Sequence, residues 1–214
     1  MDPSLRITEI FYSLQGETNT VGVPTVFVRL TGCPLRCTYC DTAYAFNGGE
    51  KLALAEILRR IAEYDCRYVT VTGGEPLAQA LCLELLDQLI ALGYQVSLET
   101  SGAIDVSGVN PQVVKVLDLK TPSSGELARN LYRNIDCLSE QDQVKFVIAD
   151  EDDYRWSVEQ VRALKLSERC QVLFSPVELT MPAVELADKI LADRLPVRFQ
   201  IQLHKYLWND ARGK

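Results

Sequence analysis

An α/β fold, with a mostly parallel sheet rolled into a partial (βα) barrel, is what the sequence predicts. Short β-branched runs alternate with segments of helical apolar spacing along most of the chain, the pattern of βαβ units. The Gly-, Pro- and Cys-rich loops follow strands, as they do when functional loops gather at the C-terminal ends of a parallel sheet. The 214 residues fall short of the ~250 of a complete barrel, so a trimmed barrel in a single domain over residues 1–214 is expected.

Taken in order, residues 7–12 and 25–31 read as strands. Residues 52–64 carry apolar side chains at helical spacing. Residues 68–72 are a β-branched run that stops at Gly73 and Gly74. An amphipathic helix is expected over 77–92, with Gly93 as its stop. Strands are expected at 94–99, 113–119 and 144–148. A helix over 151–166 takes Asp150 as its N-cap. A short strand at 172–174, a helix over 182–195 and a last strand at 197–203 complete the pattern. Residues 121–138 are poorly patterned, and no repeat, low-complexity tract or linker stands out. The three-cysteine loop, Gly73 to Pro76, Thr100 to Gly102, and Asp118 to Lys120 all lie at strand ends and would share one rim.

Composition excludes several classes of function. Hydrophobic residues at 47% and charged residues at 24% are an ordinary globular balance, incompatible with wholesale disorder. Lys and Arg total 22 against 29 Asp and Glu, a net charge of −7. So acidic a chain suits neither sequence-independent nucleic-acid binding nor docking on anionic lipid. No apolar run approaches the ~20 residues of a membrane helix, and the first residues lack the apolar stretch of a signal peptide. A cytoplasmic protein without nucleic-acid or membrane partners is therefore expected. In that compartment the seven cysteines stay reduced rather than forming a disulfide framework.

Cys66, Cys82, Cys137 and Cys170 are scattered singly and read as small buried hydrophobes. Cys33, Cys37 and Cys40 crowd together with C-x3-C-x2-C spacing. Thiolates take soft metals, and iron–sulfur clusters normally have four of them. A four-iron cube on three cysteines leaves one iron open to a small molecule bearing amino and carboxylate groups. A structural zinc loop is the blander alternative, and it would need a fourth ligand, with His204 the one histidine on offer.

The cysteine motif, followed by Gly73-Gly74-Glu75-Pro76 after a strand, resembles the radical S-adenosylmethionine (SAM) superfamily. Leu14-Gln15-Gly16-Glu17, Arg29, Cys40-Asp41-Thr42, Glu99-Thr100-Ser101-Gly102 and the segment His204 to Trp208 together resemble the 7-carboxy-7-deazaguanine synthase family, from about residue 7 to 208. That resemblance implies a [4Fe-4S] cluster on Cys33, Cys37 and Cys40, with SAM at the open iron. It implies that a 5′-deoxyadenosyl radical abstracts hydrogen from C6 of 6-carboxy-5,6,7,8-tetrahydropterin. The ring then contracts to 7-carboxy-7-deazaguanine, ammonia leaves, and SAM is regenerated.

Residue by residue, the resemblance assigns Thr38, Tyr39, Cys40, Gly74, Glu75, Gly102, Asp118, Leu119 and Lys120 to SAM. Many relatives read Ser-Pro-Lys where this chain has Asp118-Leu119-Lys120, so side-chain roles at the first two are not carried over. It assigns Leu14, Gln15, Gly16, Glu17, Arg29 and Thr100 to the pterin; a guanidinium fork suits its carboxylate. Thr42 is assigned to Mg²⁺, which would also hold that carboxylate. A homodimer and a flavodoxin- or ferredoxin-type electron donor are further implications. His204 is open between facing the site and packing in the core, and no substrate role is carried to Lys214. The competing readings are a radical SAM activase of a glycyl-radical enzyme and a non-catalytic iron–sulfur or zinc module. The Leu14 to Glu17 segment speaks against the first, and the Gly-Gly-Glu-Pro motif against the second.

Overall fold

Strand alternation decides which side chains meet the helices and which are left for a site. The computed structural model describes residues 3–209 and 211–214. In β1 (Ser4–Leu14), β2 (Pro24–Leu30), β3 (Glu50–Ala53), β4 (Tyr68–Gly73) and β5 (Gln95–Thr100) the chain crosses the first half of one sheet. β6 (Val114–Asp118), β7 (Gln143–Ile148), β8 (Gln171–Pro176) and β9 (Arg198–Phe199) complete it. The order is β3-β1-β2-β4-β5-β6-β7-β8-β9, so β3 and β9 are its edges and the barrel does not close. Every pair from β2 to β9 is parallel, whereas β1 runs antiparallel to both β2 and β3.

Side chains alternate with a period of two along each strand. Val26, Val28 and Leu30 of β2, Val69 and Val71 of β4, Val96 and Leu98 of β5, and Val144, Phe146 and Ile148 of β7 are buried in one apolar cluster. The intervening residues face the other way: Phe27 and Arg29, Thr72, Glu99, Val116 and Asp118, Lys145 and Val147 line a cleft on the inner side of the sheet. The helices α1 (Leu54–Ala62), α2 (Cys82–Ala91), α3 (Glu151–Ala163), α4 (Leu166–Arg169) and α5 (Ala183–Ala192) add their apolar stripes to the cluster. Leu54, Ile57 and Ile61 of α1, and Leu85, Leu86 and Leu89 of α2, repeat at the three-to-four spacing that makes such a stripe. Asp150 caps α3 as expected, its carboxylate accepting the Asp153 N–H at 2.9 Å.

Several boundaries differ from the sequence expectation. The helical spacing at residues 52–64 begins with the edge strand β3, whose pairing with β1 outweighs local propensity. The helix expected over 77–92 starts only at Cys82; Pro76–Ala78 form a separate 3₁₀ turn, because Glu75 caps it through the Leu77 N–H. The poorly patterned residues 121–138 fold as three 3₁₀ turns, Pro122–Ser124, Leu127–Arg129 and Tyr132–Cys137. The last strand is shorter than expected: β9 has two residues, and Leu203–Trp208 form a helix, α6. Cys82 and Cys170 are buried as expected, but Cys66 and Cys137 are only half-buried.

The outer face of β7 and β8 is an aromatic cluster. Phe146 meets Phe174 edge-on at 5.5 Å and Trp156 at 6.0 Å, and Tyr154 meets Phe174 at 6.2 Å. Phe146 is fully buried, so Phe146→Ala is expected to cost roughly 3–5 kcal/mol by opening a cavity there. A lowered urea midpoint with an unchanged denaturant slope checks it.

Candidate active site

The parallel strands deliver their C-terminal ends to one rim, and the cleft opens there. The three-cysteine loop leaves β2, Gly73 and Gly74 end β4, Thr100 ends β5, Asp118 ends β6 and Val147 lies near the end of β7. Cys33, Cys37 and Cys40 all line this cleft and all carry free thiols. Burial pushes the thiols of Cys33 and Cys37 up, and the Leu35 N–H donates to Cys33 Sγ at 3.4 Å. Among the described residues no three His, Cys, Asp or Glu side chains converge on a single ion.

Close backbone approach fixes the loop above β4. A Cβ on Gly74 would sit 2.3 Å from the Gly32 carbonyl oxygen and 2.7 Å from Cys33 Cβ, so only glycine fits beneath the cysteines. A Cβ on Gly73 would lie 2.2 Å from the Leu30 carbonyl oxygen. Three soft thiols opening on one cleft over this bare backbone fit a cube better than a single zinc ion, whose ligands must converge.

Glu75 is fully buried and does not line the cleft. Its carboxylate accepts from the Leu77 N–H at 3.0 Å, the Thr100 hydroxyl at 2.9 Å, and the Ser101 N–H at 2.7 Å. Its side chain is thus committed inside the protein, and only its backbone is left for a ligand. Leu119 is likewise buried in the apolar cluster, and Gly102 and Thr38 stand outside the cleft lining. The Thr38 hydroxyl donates to the Ser123 carbonyl at 2.6 Å, tying the cysteine loop to the 3₁₀ turn after β6. The Tyr39 hydroxyl is 3.1 Å from that of Thr121, and burial pushes it up to about 12.

The opposite wall is built from the end of β1. Leu14, Gln15, Gly16 and Glu17 all line the cleft, together with Arg29 and Thr42. Gln15 Nε2 donates to Thr70 Oγ1 at 3.1 Å and to Glu99 Oε1 at 3.3 Å. Arg29 Nε donates to Glu9 at 2.7 Å while its guanidinium lies 5.8 Å from the Phe11 ring. Burial works against the Arg29 charge, but Tyr44 and Glu9 hold its pKa above the ordinary value. The Thr42 hydroxyl donates to Asp41 Oδ1 at 2.9 Å.

A ladder of ion pairs crosses the floor. Lys120 Nζ lies 3.0 Å from Asp118 Oδ2, and Lys145 Nζ bridges Asp118 at 3.7 Å and Glu17 at 2.7 Å. Burial alone would raise the Glu17 pKa; the Lys145 ammonium and the Gln202 amide outweigh it and hold the carboxylate ionised. Burial would likewise lower Lys145, but Glu17, Asp118 and Glu99 hold it well above its ordinary value.

The chain end straps the mouth. The Leu203 N–H donates to the Gly16 carbonyl at 2.9 Å, and Gln202 Nε2 donates to Glu17 at 2.9 Å and to Asp41 at 3.0 Å. His204 lines the cleft from α6, so the open question over it resolves toward the site. A Cβ on Gly16 would meet its Nδ1 at 2.1 Å. Burial lowers the His204 pKa and favours the neutral ring.

Sequence reasoning singled out neither Lys145 nor Gln202, and gave Asp41 and Glu99 no role. The signal for Lys145 was present: a lone lysine in the apolar run Val144 to Ile148 has to face a polar interior.

Comparison with known proteins agrees with this picture. Residues 27–119 match the radical SAM superfamily. A 7-carboxy-7-deazaguanine synthase of Chlorobaculum tepidum is 44% identical over 213 residues, covering 98% of this chain and 97% of that protein. One of Koribacter versatilis is 39% identical (98% and 100%), and one of Thermoplasma acidophilum 34% identical (98% and 100%). Among solved structures, QueE from Escherichia coli shares the fold with a TM-score of 0.78 at 24% identity, over 94% of this chain and 95% of that one.

Changing any one of Cys33, Cys37 or Cys40 to Ala is expected to abolish the cluster, since a three-thiolate site has no spare ligand. Cys66→Ala, Cys82→Ala, Cys137→Ala and Cys170→Ala, none of which lines the cleft, should retain it. Iron per chain after anaerobic reconstitution decides between these outcomes.

Proposed function

The chain belongs to the 7-carboxy-7-deazaguanine synthase family of radical SAM enzymes, and on that premise we propose how its cleft carries out the reaction. The enzyme contracts 6-carboxy-5,6,7,8-tetrahydropterin to 7-carboxy-7-deazaguanine with loss of ammonia, a step of queuosine biosynthesis. Its superfamily implies a [4Fe-4S] cluster and SAM. When bound, these supply the one-electron chemistry that takes hydrogen from the pterin.

The chain's own residues hold and orient. Cys33, Cys37 and Cys40 are the cluster ligands, and the tight seat of Gly74 beneath Cys33 supports that assignment. Gly74, the backbone of Glu75, Tyr39, Cys40, Asp118 and Lys120 would hold SAM, with Thr38, Gly102 and Leu119 backing them from behind the lining. The buried side chains of Glu75 and Leu119 leave only their backbones for this role. The pterin lies against Leu14 to Glu17, with Arg29 on its carboxylate and Thr100 beside it. Glu9 occupies Arg29 Nε and leaves the two Nη groups for a carboxylate fork. The α6 strap restricts water at the mouth. The single observation that carries this reading is that the three thiols and the Leu14 to Glu17 segment open into the same cleft.

The family resemblance also supports a homodimer, a flavodoxin- or ferredoxin-type electron donor and a cytoplasmic setting. Among the described residues no helix is long and apolar enough to cross a membrane. The test is anaerobic reconstitution followed by SAM, dithionite and the pterin. 7-Carboxy-7-deazaguanine and ammonia are the expected products. A glycyl radical raised on a partner protein, with no pterin turnover, would replace this reading with the activase.

Thr42 is the Mg²⁺ ligand in this reading. Its proton is given to Asp41, which leaves the hydroxyl lone pairs for a hard cation that keeps most of its waters. Turnover is expected to rise with Mg²⁺ at constant iron content. Thr42→Ala should weaken that dependence and raise the apparent KM for the pterin. Equal turnover in chelator and in Mg²⁺ would return Thr42 to a loop role.

A further inference from the structure

The ionic groups inside the cleft are matched in pairs among the described residues, except one. Glu17 faces Lys145 at 2.7 Å, Asp118 faces Lys120 at 3.0 Å, Asp41 faces Lys205 at 3.3 Å, and Arg29 faces Glu9 at 2.7 Å. Glu178 and Lys214, at the mouth, are exposed to water. Glu99 lines the cleft with no cation within ion-pair distance among the described residues. Its two oxygens accept instead from neutral donors, the Gln15 amide at 3.3 Å and the Thr72 hydroxyl at 3.1 Å. Glu75 also has no cation beside it among the described residues, but its carboxylate is sealed off from the cleft by Leu77, Thr100 and Ser101.

Ring contraction with loss of ammonia moves protons. A C–N bond breaks, its electron pair leaves on nitrogen, and that nitrogen takes a proton to depart as neutral ammonia. A ring carbon gives up a proton as the new five-membered ring becomes aromatic. Resting on the reaction assigned above, we propose that Glu99 is the carboxyl that exchanges these protons. In its acid form it donates to the departing nitrogen; as carboxylate it recovers a proton from the ring carbon. One proton out and one back leaves Glu99 unchanged and needs no oxidant or reductant.

The surroundings suit that task. Lys145 on β7 is engaged with Glu17 and Asp118, Arg29 on β2 with Glu9, and Glu17 after β1 and Asp118 on β6 are negative. Burial pushes the Glu99 pKa up, and the neighbouring Glu17 charge adds to it against the pull of Lys145 and Arg29. The acid form therefore persists to higher pH than in a free carboxylate, nearer the range where a general acid–base works best. His204, whose imidazole also lines the cleft, serves as the control.

Glu99→Gln is expected to lower kcat by about 100-fold or more, the usual reach of general acid–base catalysis, with KM within about threefold. Hydrogen transfer from the pterin to the SAM-derived deoxyadenosyl group should persist, because it precedes the proton steps. Glu99→Asp, which keeps a carboxyl, should retain part of the turnover with a displaced acid limb in the pH profile. In the cluster-free protein, an infrared carboxyl band should titrate above the ordinary Glu range and vanish in Glu99→Gln but not in His204→Gln. Unchanged kcat and pH profile in Glu99→Gln, a loss confined to KM, or loss of hydrogen transfer as well would each overturn the assignment. If the wild-type enzyme forms no 7-carboxy-7-deazaguanine, the assigned reaction falls, while the infrared band still decides whether Glu99 titrates as proposed.

Discussion

The rim of the cleft is held together by one buried carboxylate. Glu75 has no cation beside it among the described residues, and an unsatisfied charge in that position would be costly by several kcal/mol. It is satisfied by donors from two neighbouring strand ends: Leu77 after β4, and Thr100 and Ser101 at the end of β5. Those donors cannot be met unless the two ends sit side by side, so the charge enforces their alignment. Gly73 and Gly74 then lie flat against β2 and the cysteine loop. Glu75 sits in the motif that the resemblance ties to a ligand, yet its carboxylate is spent on building the wall.

On the inner floor the same economy runs through Lys145. A lysine buried on a strand needs an anion, and this one has two, Glu17 and Asp118. They lie on the pterin side and the SAM side of the proposed arrangement, so one ammonium ties the two halves of the cleft together. Asp118 adds a negative charge that Lys120 and Lys145 share. One oxygen of Asp118, Oδ1, is buried without a partner among the described residues, which leaves it for whatever fills the cleft.

Much of this was legible in the sequence because period and punctuation are local signals. Val69-Thr70-Val71-Thr72 announces a strand with one apolar and one polar face, and β4 is built that way. The cysteine loop and the Gly-Gly-Glu-Pro motif gave the rim for the same reason. What was not legible depends on distant partners. β3 is a strand because β1 offers it an edge, and residues 50–53 carry no strong strand signal of their own. Residues 203–208 form a helix because Gly16 and Glu17 seat their first turn, contacts that no window of sequence contains. The separation of Glu99 from the paired acids likewise appears only when four strands stand side by side.

The strap over the mouth has a consequence for how the molecule comes together. The sheet grows by neighbour-to-neighbour pairing, β2 with β4, β4 with β5, and onward to β9, each closing a loop of modest length. The bond from Gln202 to Glu17 spans 185 residues, nearly the length of the chain. Contacts of such sequence separation have the largest loop-closure entropy and are made once shorter-range structure has already brought the ends near. The wall carrying Gly16 and Glu17 is therefore completed from the opposite end of the chain, and the bond that completes it carries the closure entropy of nearly the whole polypeptide.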